Sequence, residues 1–318
     1  MNVMVVLNYN DSETTIRFLK KTRDYSVLDK IIVVDNCSTD GSYERLFEFK
    51  SEKVDVVRTE KNEGYASGNN YGIKYAEKCY NPQKIVISNP DIEVSEESIR
   101  KICGYLDAHG DVAAATGLIY NEAGQVVSNY AWKLPTYSSI LLDCFLLLSL
   151  FCRKVLNMGM WYQKPTVETD KIIFVDVLPG CFFVIKGEKM ASVGYFDERT
   201  FLYSEESILA FKLKERGYRQ VVLCDEPITH YGGVSVNKSI KSWRRKSKIL
   251  ESSRKVYLRN YLKVSELKVH LFVLLFNLGK YERYVLLRLR ALVLRIKGRG
   301  RGKLRRKPWS RRWRPWLC

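Results

Sequence analysis

The stretch VISNPDIEV, residues 86–94, leaves an apolar run and ends on Asn89, Pro90 and Asp91. A carboxylate at a strand end, its approach fixed by proline, suits a metal ion or a phosphate; a plain strand stop is the alternative. A second carboxylate, Asp35, closes the run IIVVD and opens VVDNCSTDGS, residues 33–42. There it can accept N–H bonds from a flat heterocycle such as a pyrimidine, or serve an ordinary turn with Asp40 capping a helix from Gly41. The stretch KNEGYASGNNYG, residues 61–72, spaces Gly64, Gly68 and Gly72 among Asn62, Asn69 and Asn70. Small residues there let the backbone approach a ligand closely, and a helix from about Ala66 aims N–H groups at an anion. Farther on, Glu205 and Glu206 open a predicted helix, 205–216, with Ser204 as its N-cap and Gly217 just past its end. The dipole of the first turn favours ionised carboxylates.

These groups need elements to hold them. Short β-branched runs at 3–7, 31–35, 54–57, 84–88 and 112–117 alternate with helical patterns at 12–23, 41–50, 66–80 and 95–108. Strands apolar on both faces, alternating with helices, predict an α/β fold with a largely parallel sheet covered on both sides. In such sheets ligands sit beyond the carboxyl ends of the strands, where Asp35 and the Asn89–Asp91 turn both fall. After Gly117 the pattern changes: a turn at Asn121–Gly124, an apolar and basic stretch at 134–158, strands at 171–178, 181–186 and 220–224, and a helix near 240–261.

The ordered set NYN (8–10), VDNxSxDG (34–41), NxGYAxGxNxG (62–72) and NPD (89–91) resembles the family 2 glycosyltransferases of GT-A fold, above all a bacterial rhamnosyltransferase-like branch. The likeness continues through GCFFVIKGEKMASVGYFDERTFLYSEE (180–206), THYGGVS (229–235) and SSRKVYLRNY (252–261), covering about residues 1–261. It implies a GT-A fold with a mixed, mainly parallel sheet, a nucleoside-diphosphate-sugar donor, inverting transfer, and Mg²⁺ or Mn²⁺. It places Asn8, Asp35, Asn62, Gly64, Gly68, Asn70, Asn89 and Asp91 around the donor, with Asp35 on the base and Asp91 as the final acid of the metal motif. Asn89 stands where that motif has its first acid, leaving one fewer negative charge. A departing diphosphate builds negative charge that a hard cation neutralises, and one or two carboxylates plus phosphate oxygens suffice to bind it. The resemblance also makes His230 a metal ligand or diphosphate contact, against a purely structural histidine.

An inverting transfer needs a base for the acceptor hydroxyl. The resemblance puts an acid pair at Glu205 and Glu206 and assigns the base to the second, Glu206. The family usually has Asp there and another acid two residues on; this chain has Glu206 and Ile208. The longer side chain moves the carboxylate outward by about one bond. Asp176 and Gly180 are expected on the acceptor side, and Arg254 and Arg259 within reach of the diphosphate or on a solvated basic face.

Net charge is +18 over 318 residues, and residues 295–318 hold eleven Lys or Arg without an acid. Eight cysteines form no CxxC pair and several sit in apolar runs, which predicts reduced thiols in a reducing compartment. Met1 leads straight into VMVVL, so no secretory signal is read at the start. The apolar stretches 139–156 and 269–279 are too short to span a bilayer. The continuation of the second, where Leu and Val alternate with Arg, suits a helix lying in a membrane interface, with Trp309, Trp313 and Trp316 in the same zone. An amphipathic helix docked on the catalytic domain, with a disordered tail, is the alternative. The sequence thus predicts a nucleotide-sugar-binding half at 1–117, an acceptor half at 118–238, membrane-associating helices at 239–296 and a basic tail at 297–318. The expected partners are the donor, a glycan or lipid-linked acceptor and the inner leaflet of the cytoplasmic membrane, with no nucleic acid.

Overall fold

A computed structural model describes residues 1–156, 159–165, 171–232 and 242–299. Residues 233–235 of THYGGVS and the tail from 300, with its three tryptophans, lie outside the described residues. The first half follows the predicted alternation closely. Strands β1 (Asn2–Asn8), β2 (Lys30–Asp35), β3 (Val54–Arg58) and β4 (Lys84–Ser88) are separated by helices α1 (Ser12–Thr22), α2 (Ser42–Phe47) and α3 (Tyr65–Tyr80). All four strands run parallel, in the order β3-β2-β1-β4. Val3 to Val6 and Ile31 to Val34 have no exposed surface, as strands covered on both faces require.

Beyond β4 the sheet becomes mixed. A short strand β5 (Ile92–Val94), helix α4 (Glu96–Ala108) and strand β6 (Val112–Tyr120) come next in the chain. After them, β7 (Ile172–Val175), β8 (Phe182–Lys186) and β9 (Arg219–His230) complete the sheet, whose order continues β4-β8-β6-β9-β5, with β7 also on β9. Strand β8 is antiparallel to both neighbours, and β5 is antiparallel to β9 with Ile92 opposite His230. The sequence pattern predicts no β5, because three residues behind a proline turn are too few to show an alternation. It also ends the ninth strand at 224, six residues early. Gly117 permits the crossing of β6 and β9: a Cβ there would lie 2.0 Å from the Glu226 carbonyl oxygen.

Helices α7 (Gly187–Ser192) and α8 (Glu205–Glu215) lie between β8 and β9, and α9 (Trp243–Asn260) follows. The chain folds into two compact units, which differ from the four-part expectation. One unit joins 1–134 to 161–256; the other joins 135–160 to 257–318. The apolar stretch expected in the acceptor half therefore groups with the C-terminal helices. It forms α5 (Tyr137–Leu142) and α6 (Leu146–Val155), which pack on the long helix α10 (Glu266–Arg299). The physical reason is its side chains: Ile140, Cys144 and Leu146 are buried in the unit whose other buried apolar residues include Tyr257, Leu258, Val269, Phe272 and Phe276. Among the described residues, no helix is long and apolar enough to cross a membrane.

Candidate active site

Parallel register brings Asn8 and Asp35 side by side at the carboxyl ends of β1 and β2. Asp35 is fully buried; its Oδ1 accepts from Asn8 Nδ2 at 2.9 Å and its Oδ2 from the Ser38 N–H at 3.0 Å. Arg58 Nε stands 3.4 Å from Oδ2. Asn8 also donates to Ser38 Oγ and accepts from Thr15, so its amide is spent on holding Asp35 in place. Both carboxylate oxygens of Asp35 have a partner, each with lone-pair capacity left for a further donor.

The glycine-rich stretch is mostly helix rather than loop. Only Lys61 to Gly64 precede α3, and Asn62 Oδ1 accepts from the Gly64 N–H at 3.0 Å and from Asn36 Nδ2 at 3.1 Å. Gly64 has φ 98°, and a Cβ there would lie 1.9 Å from the Phe201 carbonyl oxygen. Gly68 and Gly72 face the sheet instead: added Cβ atoms would lie 2.5 Å from Leu7, and 2.6 and 2.7 Å from Val5 and Val34. The close approach they permit is thus helix to strand, which corrects the expectation that they cradle a ligand. Asn70 bonds Phe196 through both amide atoms and adds Glu198, tying α3 to the 196–198 turn.

The Asn89–Asp91 turn lies against two other segments. The Asn89 N–H donates to the Cys181 carbonyl at 2.8 Å, and the Tyr231 N–H donates to the Asp91 carbonyl at 3.0 Å. Pairing of β5 with β9 carries His230 to Asp91, Nε2 to Oδ1 3.4 Å. That Nε2 is buried and has no hydrogen-bond partner. Burial alone would depress the imidazole pKa, but Cys181 and the Asp91 carboxylate outweigh it and hold it well above the ordinary value. A buried carboxylate facing an orphaned imidazole nitrogen suits a hard divalent cation. Among the described residues no cluster of three or more His, Cys, Asp or Glu could hold one, so a bound ion would complete its shell with substrate oxygens or water.

The chain enters α8 through Tyr203 and Ser204, both left-handed at φ 74° and 72°. Two such non-glycine residues in succession cost about 1 kcal/mol or more each, a strain common where a functional side chain must be aimed. Ser204 stands at the N-cap position but makes no side-chain cap. Glu205 turns inward and is buried, with Oε1 unpartnered. Glu206 is half-buried, and its carboxylate packs against Gly180. Burial raises both carboxyl pKa values; the neighbouring Glu206 charge lifts Glu205 further, while N–H groups restrain Glu206. Burial thus favours the protonated form at both carboxyls, more strongly at Glu205.

Gly180 is the shelf beneath Glu206. A Cβ on it would lie 2.5 Å from Glu206 Oε1, and its carbonyl accepts from the Tyr65 phenol at 2.5 Å. The sequence marks Tyr65 only as an aromatic that argues for packing, since its bond depends on a residue 115 positions away. Cys181 is equally hard to pick out, its only signal being a place beside a glycine at a strand entry. Asp176 is not free on the acceptor side: it accepts from the Leu134 N–H at 3.0 Å and from Lys214 at 3.1 Å. Arg259 pairs with Glu266 at 2.8 Å, which commits it locally rather than to a diphosphate. Ile208, where the family resemblance expects a further acid, is completely buried.

The sequence matches Glycosyl transferase family 2 over residues 3–172, more than half of the chain. The chain belongs to that family. Among curated relatives, the low-salt glycan biosynthesis hexosyltransferase Agl10 of Haloferax volcanii is 25% identical over 211 residues, 66% of this chain and 61% of the relative. Rhamnosyltransferase WbbL of Escherichia coli K12 is 24% identical over 204 residues, 62% of this chain and 73% of WbbL. The chain thus spans less than two thirds of the length of Agl10. Mannosyltransferase PcManGT from Pyrobaculum calidifontis, solved with GDP-Man and Mn²⁺, superposes with a TM-score of 0.53 at 16% identity over 92% of this chain and 80% of that one. GalNAc-T7, solved with UDP, GalNAc and Mn²⁺, gives 0.52 at 16% identity over 72% and 43%. The fold of this family 2 chain is GT-A.

Proposed function

We propose that this chain is an inverting glycosyltransferase that moves a sugar from a nucleoside-diphosphate donor to a hydroxyl of a growing surface polysaccharide or lipid-linked glycan. The observation that carries the reading is the arrangement around Gly180 and Cys181. One of these neighbours supports the Glu206 carboxylate, and the other contacts the His230–Asp91 corner. An acid and a cation-ready pair therefore flank one strand entry, as in-line displacement of a diphosphate requires.

In this reading Asp35 receives the nucleotide base, steadied by Asn8 and Arg58, and the Asn62–Gly64 turn lies along the nucleotide. Asp91 and His230 would hold Mg²⁺ or Mn²⁺, with Asn89 beside them; the ion supplies Lewis-acid stabilisation of the leaving diphosphate. Glu206 in its ionised form accepts the acceptor's hydroxyl proton as oxygen attacks the anomeric carbon. Rhamnose is the favoured sugar, since the motif set resembles the rhamnosyltransferase-like branch and WbbL is among the relatives; another hexose or galactofuranose is the alternative. The basic C-terminal helices favour a peripheral position on the cytoplasmic face of the membrane, where a lipid-linked acceptor resides.

The experiment is Glu206→Gln assayed against a panel of nucleotide sugars with Mn²⁺. The amide keeps the size and the Gly180 contact but cannot take a proton, so transfer should fall by about 10²–10⁴-fold. Donor affinity should stay within about threefold of wild type, roughly 0.7 kcal/mol. Undiminished transfer would remove Glu206 from the chemistry, and absence of transfer from every donor by the wild type would leave a silent nucleotide-sugar-binding protein.

A further inference from the structure

The 135–160 and 257–299 unit is apolar on more faces than it needs to fold. On α10, Val269, Phe272 and Phe276 form a buried stripe. A second stripe, Leu267, Leu271, Leu274, Leu278 and Tyr281, is 80, 42, 58, 50 and 68% exposed. Its alternating steps of four and three residues keep it on one side of the helix. At about 100° per residue, Leu267 stands roughly 200° round from Val269, so the exposed stripe is nearly opposite the buried one.

Helix α6 repeats the arrangement. Leu146 and Cys152 are buried, whereas Leu147, Phe151 and Val155, four residues apart, are 55, 54 and 63% exposed. The two helices are fastened together. The Glu282 carboxylate of α10 caps α6, accepting the Leu146 N–H at 2.7 Å and the Leu147 N–H at 3.1 Å. Arg283 donates to the Asp143 carbonyl at 2.9 Å, and Gly279 lets the backbones meet, since a Cβ there would lie 1.8 Å from the Cys144 carbonyl oxygen. The exposed face of α6 begins at Leu147, and Leu278 lies one helical turn before the Glu282 that grips it. Exposed apolar area on this scale marks an interaction surface.

Charge selects the occupant. Over 135–160 and 257–293 there are nine Lys or Arg against three Asp or Glu, and the chain then runs into the eleven cations of 295–318. A second copy of this unit would bring the same excess positive charge, whereas an anionic bilayer complements it. Tyr281 and Tyr284, 68 and 47% exposed, are of the type that settles at headgroup level.

We propose that α6 and α10 form a monotopic membrane anchor, inserting their exposed apolar faces into an anionic bilayer while flanking Lys and Arg hold the headgroups. This rests on the peripheral membrane placement proposed above and deepens it: attachment is hydrophobic as well as electrostatic, and it uses α6.

Flotation of the full chain with phosphatidylcholine vesicles, with and without phosphatidylglycerol, at low and high salt, tests it. Two variants, Leu147→Glu with Phe151→Glu and Leu274→Glu with Leu278→Glu, alter only exposed positions. Wild type should float with the anionic vesicles and keep a salt-resistant fraction. Each variant should lose that fraction at least tenfold, while deletion of 300–318 should lower only the salt-sensitive part. Donor binding, measured on the same preparations, should be unchanged and shows that the variants are folded. Variants that float like wild type overturn the anchor, as does complete release of wild type by salt, which would leave a purely electrostatic association. A dimer that these variants convert to a monomer also overturns it, by showing that a second copy covers the face. No flotation at all would remove the membrane placement together with the anchor and leave the glycosyl-transfer reading to its own test.

Discussion

Gly180→Ala is the sharpest probe of the site, because its effect follows from one distance. The added methyl would lie 2.5 Å from Glu206 Oε1 and 3.1 Å from its Cδ and Cγ. Ordinary contact begins near 3.4 Å, so the carboxylate has to retreat by roughly 1 Å. The backbone at 180 cannot yield instead. Its carbonyl is held by Tyr65, and the next residues enter β8, which is paired on both sides. Gly180 lies outside the left-handed region, so alanine brings no backbone strain of its own. A misplacement of about 1 Å in a reacting group costs about 10²-fold, or ~2.7 kcal/mol of barrier. Steady-state kcat at saturating donor should therefore fall by about 10²-fold, with donor Kd within about threefold. Adding Glu206→Asp shortens the acid by a methylene and relieves the collision. The double variant should then be no slower than Glu206→Asp alone, a non-additivity that a merely structural glycine would not show. A Gly180→Ala enzyme within threefold of wild-type kcat would refute the shelf, and strictly additive losses would do the same.

Three further outcomes are expected. Asp91→Asn should weaken Mn²⁺-dependent donor binding by about 10–100-fold, by calorimetry, while metal-free binding stays put; an unchanged metal response would take the ion away from Asp91. Gly72→Ala should lower stability by about 1–2 kcal/mol, since crowding Val5 and Val34 costs about 1–3 kcal/mol and helix propensity returns up to about 1; a weakened donor Kd at full stability would restore the ligand-cradle reading. Glu205 has a folded-state pKa raised above its unfolded value, so its contribution to stability is fully present below the ordinary carboxylate pKa and is lost as pH rises through the raised one. Glu205→Gln should flatten that decline and raise the melting temperature at neutral and higher pH; a steeper decline would mean that Glu205 is ionised in the fold.

The first half is legible in the sequence because its signals are local. A buried parallel strand is a continuous β-branched run, and Asp35 and Asp91 announce themselves by ending such runs. What the sequence does not show is which side of an element a small residue faces. Gly64, Gly68 and Gly72 share one motif, yet only Gly64 lies outside the helix, while the other two pack on β1 and β2. The family resemblance sets Asn70 by the donor and Asp176 on the acceptor side; the fold spends both on joining distant segments. The stretch 134–158 misleads for a related reason. Its partners lie more than a hundred residues away, and periodicity carries no information about partners at that range.

The substitution at 206 and the glycine at 180 explain one another. An acid one methylene longer than the family's usual Asp can be accommodated here because the facing residue has no side chain. The residue after it, Cys181, accepts the Asn89 N–H through its carbonyl and contacts His230 through its thiol. Both corners of the site are thus referenced to two adjacent residues at the entry to a strand paired on both sides. Their separation is fixed by backbone geometry rather than by side-chain packing. On the function proposed above, a longer acid at 206 would shorten the reach to an incoming hydroxyl without disturbing the Asp91–His230 corner, so exchange between Glu and Asp at this position should act on kcat and the acceptor, and leave donor binding alone.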